Sequence, residues 1–320
     1  MKCIIITGAV GFIGYALAKY LLNRGIAIIG IDNMIAHTEE ILNIKKLRLK
    51  ELSSYSNFLF IKADINEVSA DTFCDYKNII ALVHLAANTG IKESKTNSKL
   101  YIENNIVGFN NVIELSHSMN IEHFIYASSS SVYGDARNKS DVTNELLSPK
   151  SIYAITKYVD ELIAKLYSTN YNLKTTGLRF FSVYGPYGRP DMAPWIFTKF
   201  ILNNKRISLS NNGQVYRDFT YIDDIVHAIA MIIEKPRKSI FAVYDVGASQ
   251  PHSLLELIHN IEIQCSSNAH YKSTPLLKEE ATYTIADMTP FNIDYGCLDI
   301  TSLSKGISNF CKWYKEMIHK

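Results

Sequence analysis

Two residues set four apart raise the question of chemistry in this chain. In SIYAITKYVDEL (151–162), Tyr153 and Lys157 lie in a segment whose apolar residues recur at helical spacing. Residues four apart on a helix stand one above the other on the same face. A phenol stacked over an ammonium could be plain surface. It could equally be a proton-transfer group, because an adjacent cation favours the phenolate. A phenol ordinarily titrates near about pH 10, so it needs that help to act as a base at neutral pH.

A second group of residues implies a bound dinucleotide. ITGAVGFIG puts Gly8, Gly11 and Gly14 directly after an apolar run and at the start of a helical pattern, with Phe12 and Ile13 between the last two. Glycines there allow a tight turn and a close backbone approach, and a helix N-terminus attracts a pyrophosphate. The next apolar run ends in Asp32 and Asn33, where a dinucleotide fold places its ribose-binding acid. An acid at that point repels a 2′-phosphate, which favours NAD over NADP. Asp64 and Ile65 end the third run and could reach the adenine edge; Leu85, Ala86 and Ala87 end the fourth and could line the groove.

These residues need a scaffold. The 320 residues allow one large or two modest domains, and 47% apolar against 20% charged residues is enough for a real core. A net charge of +2 gives no reason to expect nucleic acid or an anionic membrane as a partner. The five cysteines are scattered and form no CxxC or Cys/His cluster, so free thiols in a reducing cytoplasm are expected rather than disulfides or zinc. The N-terminal apolar stretch is broken by glycines and lacks a cleavage-site pattern, and no segment reaches the roughly 18 uninterrupted apolar residues of a membrane span. A cytoplasmic protein is expected.

Short apolar runs at 2–7, 26–32, 57–64, 79–87, 123–129 and 175–180 alternate with helical patterns at 38–52, about 97–119 and from 151 onward. Such alternation predicts parallel βαβ units and an α/β fold with a doubly wound parallel sheet. VYGPYGRPDMAP (183–194) must be loop, SNNG (210–213) a turn, 221–234 a helix and 241–247 a further sheet strand; two more helices are expected near 253–264 and 301–318. The expected division is a dinucleotide-binding Rossmann domain over 1–180, rejoined by about 217–247. A smaller α/β substrate domain would take 181–216 and 248–320.

The glycine spacing, YASSSSVYG (126–134) and SIYAITK (151–157) together resemble the extended short-chain dehydrogenase/reductase family. Within it, HLAANTGIKES (84–94), YIENNIVGFNNVIE (101–114), TTGLRFFSVYGPYGRPDMA (175–193), RDFTYIDDIV (217–226) and FCKWY (310–314) are similar to the UDP-glucuronate 4-epimerase group of nucleotide-sugar epimerases. The resemblance covers nearly the whole chain. It implies that Tyr153 takes the proton of the sugar 4-hydroxyl, and that Lys157 holds the nicotinamide ribose and stabilises the phenolate. Ser129 and Ser130 would bond the 4-oxygen, and Asn105 would support the active-site backbone and the cofactor. It further implies tightly held NAD and a UDP-sugar substrate clamped at its pyrophosphate by Arg217. Met192 and Phe197 would pack on the base, and Ser182 with Arg189 would bind a C6 carboxylate. A homodimer pairing helices near 97–119 and 152–170 is implied as well, and galacturonate donors of this kind usually feed surface polysaccharide.

Three departures from the family pattern surround the sugar and the nucleotide. The family's QAGVRYS reads NTGIKES, so that Lys92 keeps a charge but loses the guanidinium fork. The tryptophan before the Gly-Arg pair is Tyr187, and the Pro-Gly-Asp segment near the C-terminus reads LLKEEATYTIAD, with Glu280 as a substitute for its aspartate. The same chemistry on UDP-GlcNAc, UDP-GalNAc or their uronic acids is the nearest alternative, and decarboxylation of a uronate through the same 4-keto sugar is another. A 4,6-dehydratase needs an Asp-Glu pair where Ser130 and Ser131 stand. An NAD-sensing binding module would usually lack Tyr153 or Lys157.

Overall fold

The structure, a computed structural model, describes residues 2–73, 76–134, 147–236, 238–276 and 281–318. The first half runs β1 (Cys3–Thr7), α1 (Phe12–Leu22), β2 (Ala27–Ile31), α2 (Glu39–Leu52), β3 (Phe58–Ile61), β4 (Ile79–His84), α3 (Ile91–Thr96), α4 (Ser98–Tyr101), a π-turn (Ile102–Val107), α5 (Gly108–Ser118), β5 (Phe124–Ser129), α6 (Ile152–Tyr171) and β6 (Thr175–Phe180). The second half runs β7 (Ser182–Tyr184), α7 (Ala193–Leu202), β8 (Arg206–Ser210), β9 (Tyr216–Tyr221), α8 (Ile222–Glu234), β10 (Phe241–Val246), β11 (Pro251–Ser253), α9 (Leu254–Cys265), β12 (His270–Thr274), α10 (Thr289–Tyr295) and α11 (Leu303–Ile318).

The main sheet has seven parallel strands in the order β10-β6-β5-β4-β1-β2-β3. From β1 the chain steps outward to β2 and β3, then returns to β4 and proceeds the other way. The reversal lies between β1 and β4, and in such sheets the crevice at the carboxyl ends of these two strands receives the ligand. Both faces are covered, which is why the strands read as unbroken apolar runs. Ile4 and Ile6 of β1 point into one core with Leu17 and Leu21 of α1 and Ile229 of α8. Cys3 and Ile5 point into the other, with Phe109 and Val112 of α5 and Ala164 of α6.

Beyond Phe180 the chain builds a three-stranded sheet (β11-β9-β7) and a parallel pair (β8 with β12), then sends β10 back to lie against β6. The short α10 carries no strong pattern of its own and was not expected. The continuous helix expected at 97–119 is broken. α4 ends at Tyr101, a π-turn spans Ile102–Val107, and only then does α5 begin. The extra residue per turn brings Asn105 inward, where it is 1% exposed; π-turns of this kind recur at functional sites. The strand expected at 79–87 stops at His84: the Leu85 amide is shared between the Thr7 carbonyl and Thr7 Oγ1, and the Ala86 amide turns to Thr7 Oγ1. No helix among the described residues is long and apolar enough to cross a membrane.

Candidate active site

At the reversal point the glycine turn folds on itself. Gly8 has φ of 67°, and a Cβ there would stand 2.7 Å from the Ala86 amide nitrogen. A Cβ on Gly14 would stand 2.1 Å from the Gly8 carbonyl oxygen, and one on Gly11 would stand 2.9 Å from it. Side chains would therefore block the close passage of turn, α1 and the β4 loop. Phe12 opens α1 as a buried residue and Ile13 is half-buried beside it. Thr7 Oγ1 accepts the Leu85 and Ala86 amides at 3.2 and 3.3 Å, which fixes Leu85–Ala87 across the mouth of the turn. His84 Nδ1 shares a 2.8 Å hydrogen bond with the same hydroxyl. Burial, with Lys157 close by, pulls the His84 imidazole down to about 3, so the ring is neutral.

Asp32 ends β2 and is buried; its Oδ1 accepts the Met34 amide and Lys45 Nζ, each at 2.8 Å. Asn33 Nδ2 donates to Asp64 Oδ2 at 2.9 Å. Burial would raise the Asp64 carboxyl, but hydrogen bonds from the Asn66 amide and from the Asn33 and Asn66 side chains outweigh it and hold the carboxyl below its ordinary value. Ile65 is a core side chain against Gly108.

The Tyr153 helix starts at Ser151, whose Oγ accepts the Ala154 amide at 3.1 Å. Tyr153 sits in the first turn, half-buried, with the Tyr101 ring edge-on at 6.4 Å between centroids. Asn105 ties this helix to the β4 loop. Its Oδ1 accepts the Asn88 amide at 2.8 Å, while its Nδ2 donates to the Asn88 carbonyl and to Thr156 Oγ1, both at 3.0 Å. Ser129, at the end of β5, accepts both the amide and the hydroxyl of Ser131 on its Oγ, at 3.2 and 2.9 Å. Ser130 opens a 3₁₀ turn against which α6, the Tyr153 helix, packs.

Lys157 reveals a partner that the four-residue spacing alone did not suggest. Its ammonium is 2% exposed and donates to Asp160 Oδ2 at 3.0 Å, on the buried face of the same helix. One turn on, a polar chain runs beneath α6. Glu161 accepts Ser128 Oγ at 2.5 Å and a two-pronged bond from Arg179 at 2.9 and 2.7 Å. Arg179 then donates to the Tyr133 hydroxyl at 2.6 Å, and that hydroxyl donates to Asp245 Oδ1 at 2.7 Å. The sequence held a signal for this chain: Asp160 and Glu161 follow Lys157 at three and four residues, on the face that α6 buries.

On the substrate side, Ser182 opens β7 and is half-buried; it pairs with Phe219 of β9, the strand that also carries Arg217 two residues earlier. Arg217 Nη1 donates to the Tyr216 carbonyl at 3.0 Å. Arg189 donates its fork to both oxygens of Asp191 and its Nη1 to Thr89 Oγ1. Burial lowers the pKa of this guanidinium, and the Asp191 carboxylate outweighs that and holds it above its ordinary value. Thr89 also accepts the Tyr101 hydroxyl on its carbonyl at 2.7 Å. Met192 caps α7, half-buried. Phe197, on the same helix, is 6% exposed and belongs to the main core. Lys92 stands exposed in the first turn of α3. Glu280 lies outside the described residues.

A strand-turn-helix glycine cradle at the reversal point of a doubly wound sheet, with a Tyr-x-x-x-Lys helix packed on β5, is a dinucleotide-binding arrangement. The chain belongs to the NAD dependent epimerase/dehydratase family, whose model matches residues 4–247. It is 38% identical to Protein CapI of Staphylococcus aureus, over 99% of each chain. It is 34% identical to UDP-glucuronate 4-epimerase 4 of Arabidopsis thaliana, covering 97% of this chain and 75% of that one. Its fold matches that of the UDP-glucuronic acid 4-epimerase of Bacillus cereus, solved with UDP-glucuronic acid and NAD, with a TM-score of 0.91 at 30% identity over 99% of this chain and all of that one.

Proposed function

We propose that this chain interconverts UDP-glucuronate and UDP-galacturonate by epimerisation at C4. The observation that carries the reading is Arg189, a guanidinium fork held on Thr89, whose carbonyl accepts the hydroxyl of Tyr101, the ring that stands edge-on to Tyr153. Its planar pair of N–H groups suits a carboxylate. In this structure Asp191 fills the fork, and a sugar carboxylate would take the place of that side chain. Ser182 adds a small hydroxyl that leaves room for the C6 carboxylate and can donate to it.

The residues fit NAD. The cradle of Gly8, Gly11 and Gly14 would vanish if any carried a Cβ, and the free α1 amides suit a pyrophosphate. Asp32 takes its two protein bonds on Oδ1, which leaves Oδ2 to a ribose hydroxyl. Asn33, Asp64 and the Ile65 backbone would border the adenine, and Leu85, Ala86 and Ala87 would border the dinucleotide. NAD, held there, would supply a hydride acceptor and donor for C4 of the sugar.

The chain's own residues handle the proton. Tyr153 takes it from the 4-hydroxyl and later returns it. Ser129 and Ser130 hold the 4-oxygen. Lys157 has three N–H groups; one is on Asp160, and the others would serve the nicotinamide ribose. Asn105 keeps the β4 loop and α6 in register. Arg217 would clamp the UDP pyrophosphate, with Met192 toward the base and Lys92 near the sugar. A homodimer accords with an apolar stripe on neighbouring helices: Ile102 and Val107 of the π-turn, and Ile155, Leu162 and Leu166 of α6, are all at least 42% exposed.

NMR of the purified protein with UDP-glucuronate and no added NAD tests the reading. Growth of UDP-galacturonate anomeric signals to a steady ratio is the expected result. Turnover of UDP-GlcNAc with none of UDP-glucuronate would sink the assignment of Ser182 and Arg189. A pentose product would make the enzyme a decarboxylase.

A further inference from the structure

Arg48 is a buried cation without an acid. It lies on the inner face of α2, 2% exposed, and no ion pair involves it among the described residues. Its guanidinium instead gathers three carbonyls from two distant segments. Nη1 donates to Val10, in the glycine turn, at 2.9 Å. Nη2 donates to Tyr187 at 2.6 Å and to Gly188 at 3.3 Å, in the loop that carries Arg189. Its Nε is buried with no hydrogen-bond partner among the described residues. Burial lowers the group to about 10, the cost of taking a cation out of water. An apolar side chain would attach α2 to that loop at lower cost, so plain packing does not account for an arginine here.

The loop it holds is itself under constraint. Tyr187 has φ of 59°, a left-handed conformation unusual for an aromatic residue, and such backbone persists only where its surroundings hold it. The Tyr187 ring is wedged between Tyr15 of α1 at 4.8 Å and Trp313 of α11 at 5.0 Å. A Cβ on Gly188 would come within 3.8 Å of the Phe12 ring. The sugar-side loop therefore lies on the N-terminal turns of the helix that begins the cofactor cradle.

We propose that Arg48 is a positioning residue that clasps the 185–191 loop to the glycine turn, so that NAD leaves only when that loop lifts. One guanidinium spans both carbonyl sets, so lifting the loop from the glycine turn costs it the Tyr187 and Gly188 bonds. The clasp rests on NAD binding in the cradle and is independent of which sugar is turned over.

The test is retention of NAD without any sugar present. Wild type, Arg48→Met and Arg48→Lys would be desalted repeatedly, and the NAD released on heating measured. The wild type is expected to keep its NAD. Both variants are expected to lose it roughly tenfold faster, since neither can bridge three carbonyls, an effect in the range of lost charge-assisted hydrogen bonds. A variant that holds NAD as long as the wild type overturns the clasp. If the variants do not fold, amide exchange in the wild type decides. Removal of NAD should speed exchange at Gly188 and Met192, and exchange there indifferent to NAD overturns the proposal. A wild type that binds no NAD at all would overturn the cofactor reading too, and is told apart because it shows in the unaltered protein.

Discussion

The Lys157 ammonium rests 3.0 Å from Asp160 Oδ2, with both side chains almost fully buried. Asp160 Oδ1 has no hydrogen-bond partner among the described residues. Burial outweighs the pull of Lys157 and pushes the Asp160 carboxyl up to about 7. The folded value is raised, so the native state binds this proton more tightly than the unfolded chain does. The resulting stability is complete below the unfolded value of about 4 and is lost as pH rises through about 7. Asp160→Asn carries no such proton. Its urea midpoint is expected to gain on the wild type between pH 5 and pH 8, by at most about 1.4 kcal/mol per pH unit. Parallel curves across that range would show that Asp160 stays ionised throughout.

Tyr153→Phe removes the phenolic oxygen and leaves the ring against Tyr101. A fall in kcat of about 10²–10⁴-fold is expected, the usual weight of a general base. Retained NAD and an unchanged melting temperature should accompany it. Loss of less than tenfold in kcat would move the base elsewhere.

Arg189→Ala should lower kcat/KM for UDP-glucuronate by roughly 10–100-fold, the worth of a hydrogen bond to a charge. Binding of UDP itself, followed by calorimetry, should be nearly unaffected, because the nucleotide end is assigned to Arg217. Equal losses for UDP and for UDP-glucuronate would remove Arg189 from the sugar.

Asn105→Ala would orphan the Asn88 amide and carbonyl and free Thr156 Oγ1. A loss of about 2–4 kcal/mol is expected from the unsatisfied buried groups, read from urea unfolding. Because those bonds join the β4 loop to α6, kcat should also fall at temperatures where the variant remains folded. A variant as stable as wild type would mean that water takes over the amide's role.

Much of the molecule can be read along the chain. The strands of the main sheet are covered on both faces, so each is a compact apolar run, and the order of glycine turn, Asp32 and the Tyr153 helix follows from local spacing. The π-turn is different, because nothing in YIENNIV marks the point where a helix takes an extra residue; the reason is Asn105's bonds to residues far away in sequence. Arg48 is hidden for another reason. In KKLRLK (45–50) it looks like one more solvated charge, and only the packing of α2 against the turn and the Tyr187 loop turns it inward. Asp160 was legible in principle, at helical spacing from Lys157, but a buried acid beside a lysine has meaning only once the helix face is known.

The late return of β10 has a consequence for how the molecule is made. β6 pairs with β5 on one side and with β10 on the other, in a register running from Phe241 against Thr175 to Val246 against Phe180. During synthesis, everything between those two strands must emerge before the sheet can be finished. Until then β6 is an open parallel edge with a row of unpaired amides and carbonyls, the kind of edge that recruits other chains. Parallel pairing over such a separation is slow to form. The six-stranded nascent sheet is therefore the species most exposed to aggregation, and a chain truncated after Phe180 would be held in that state permanently.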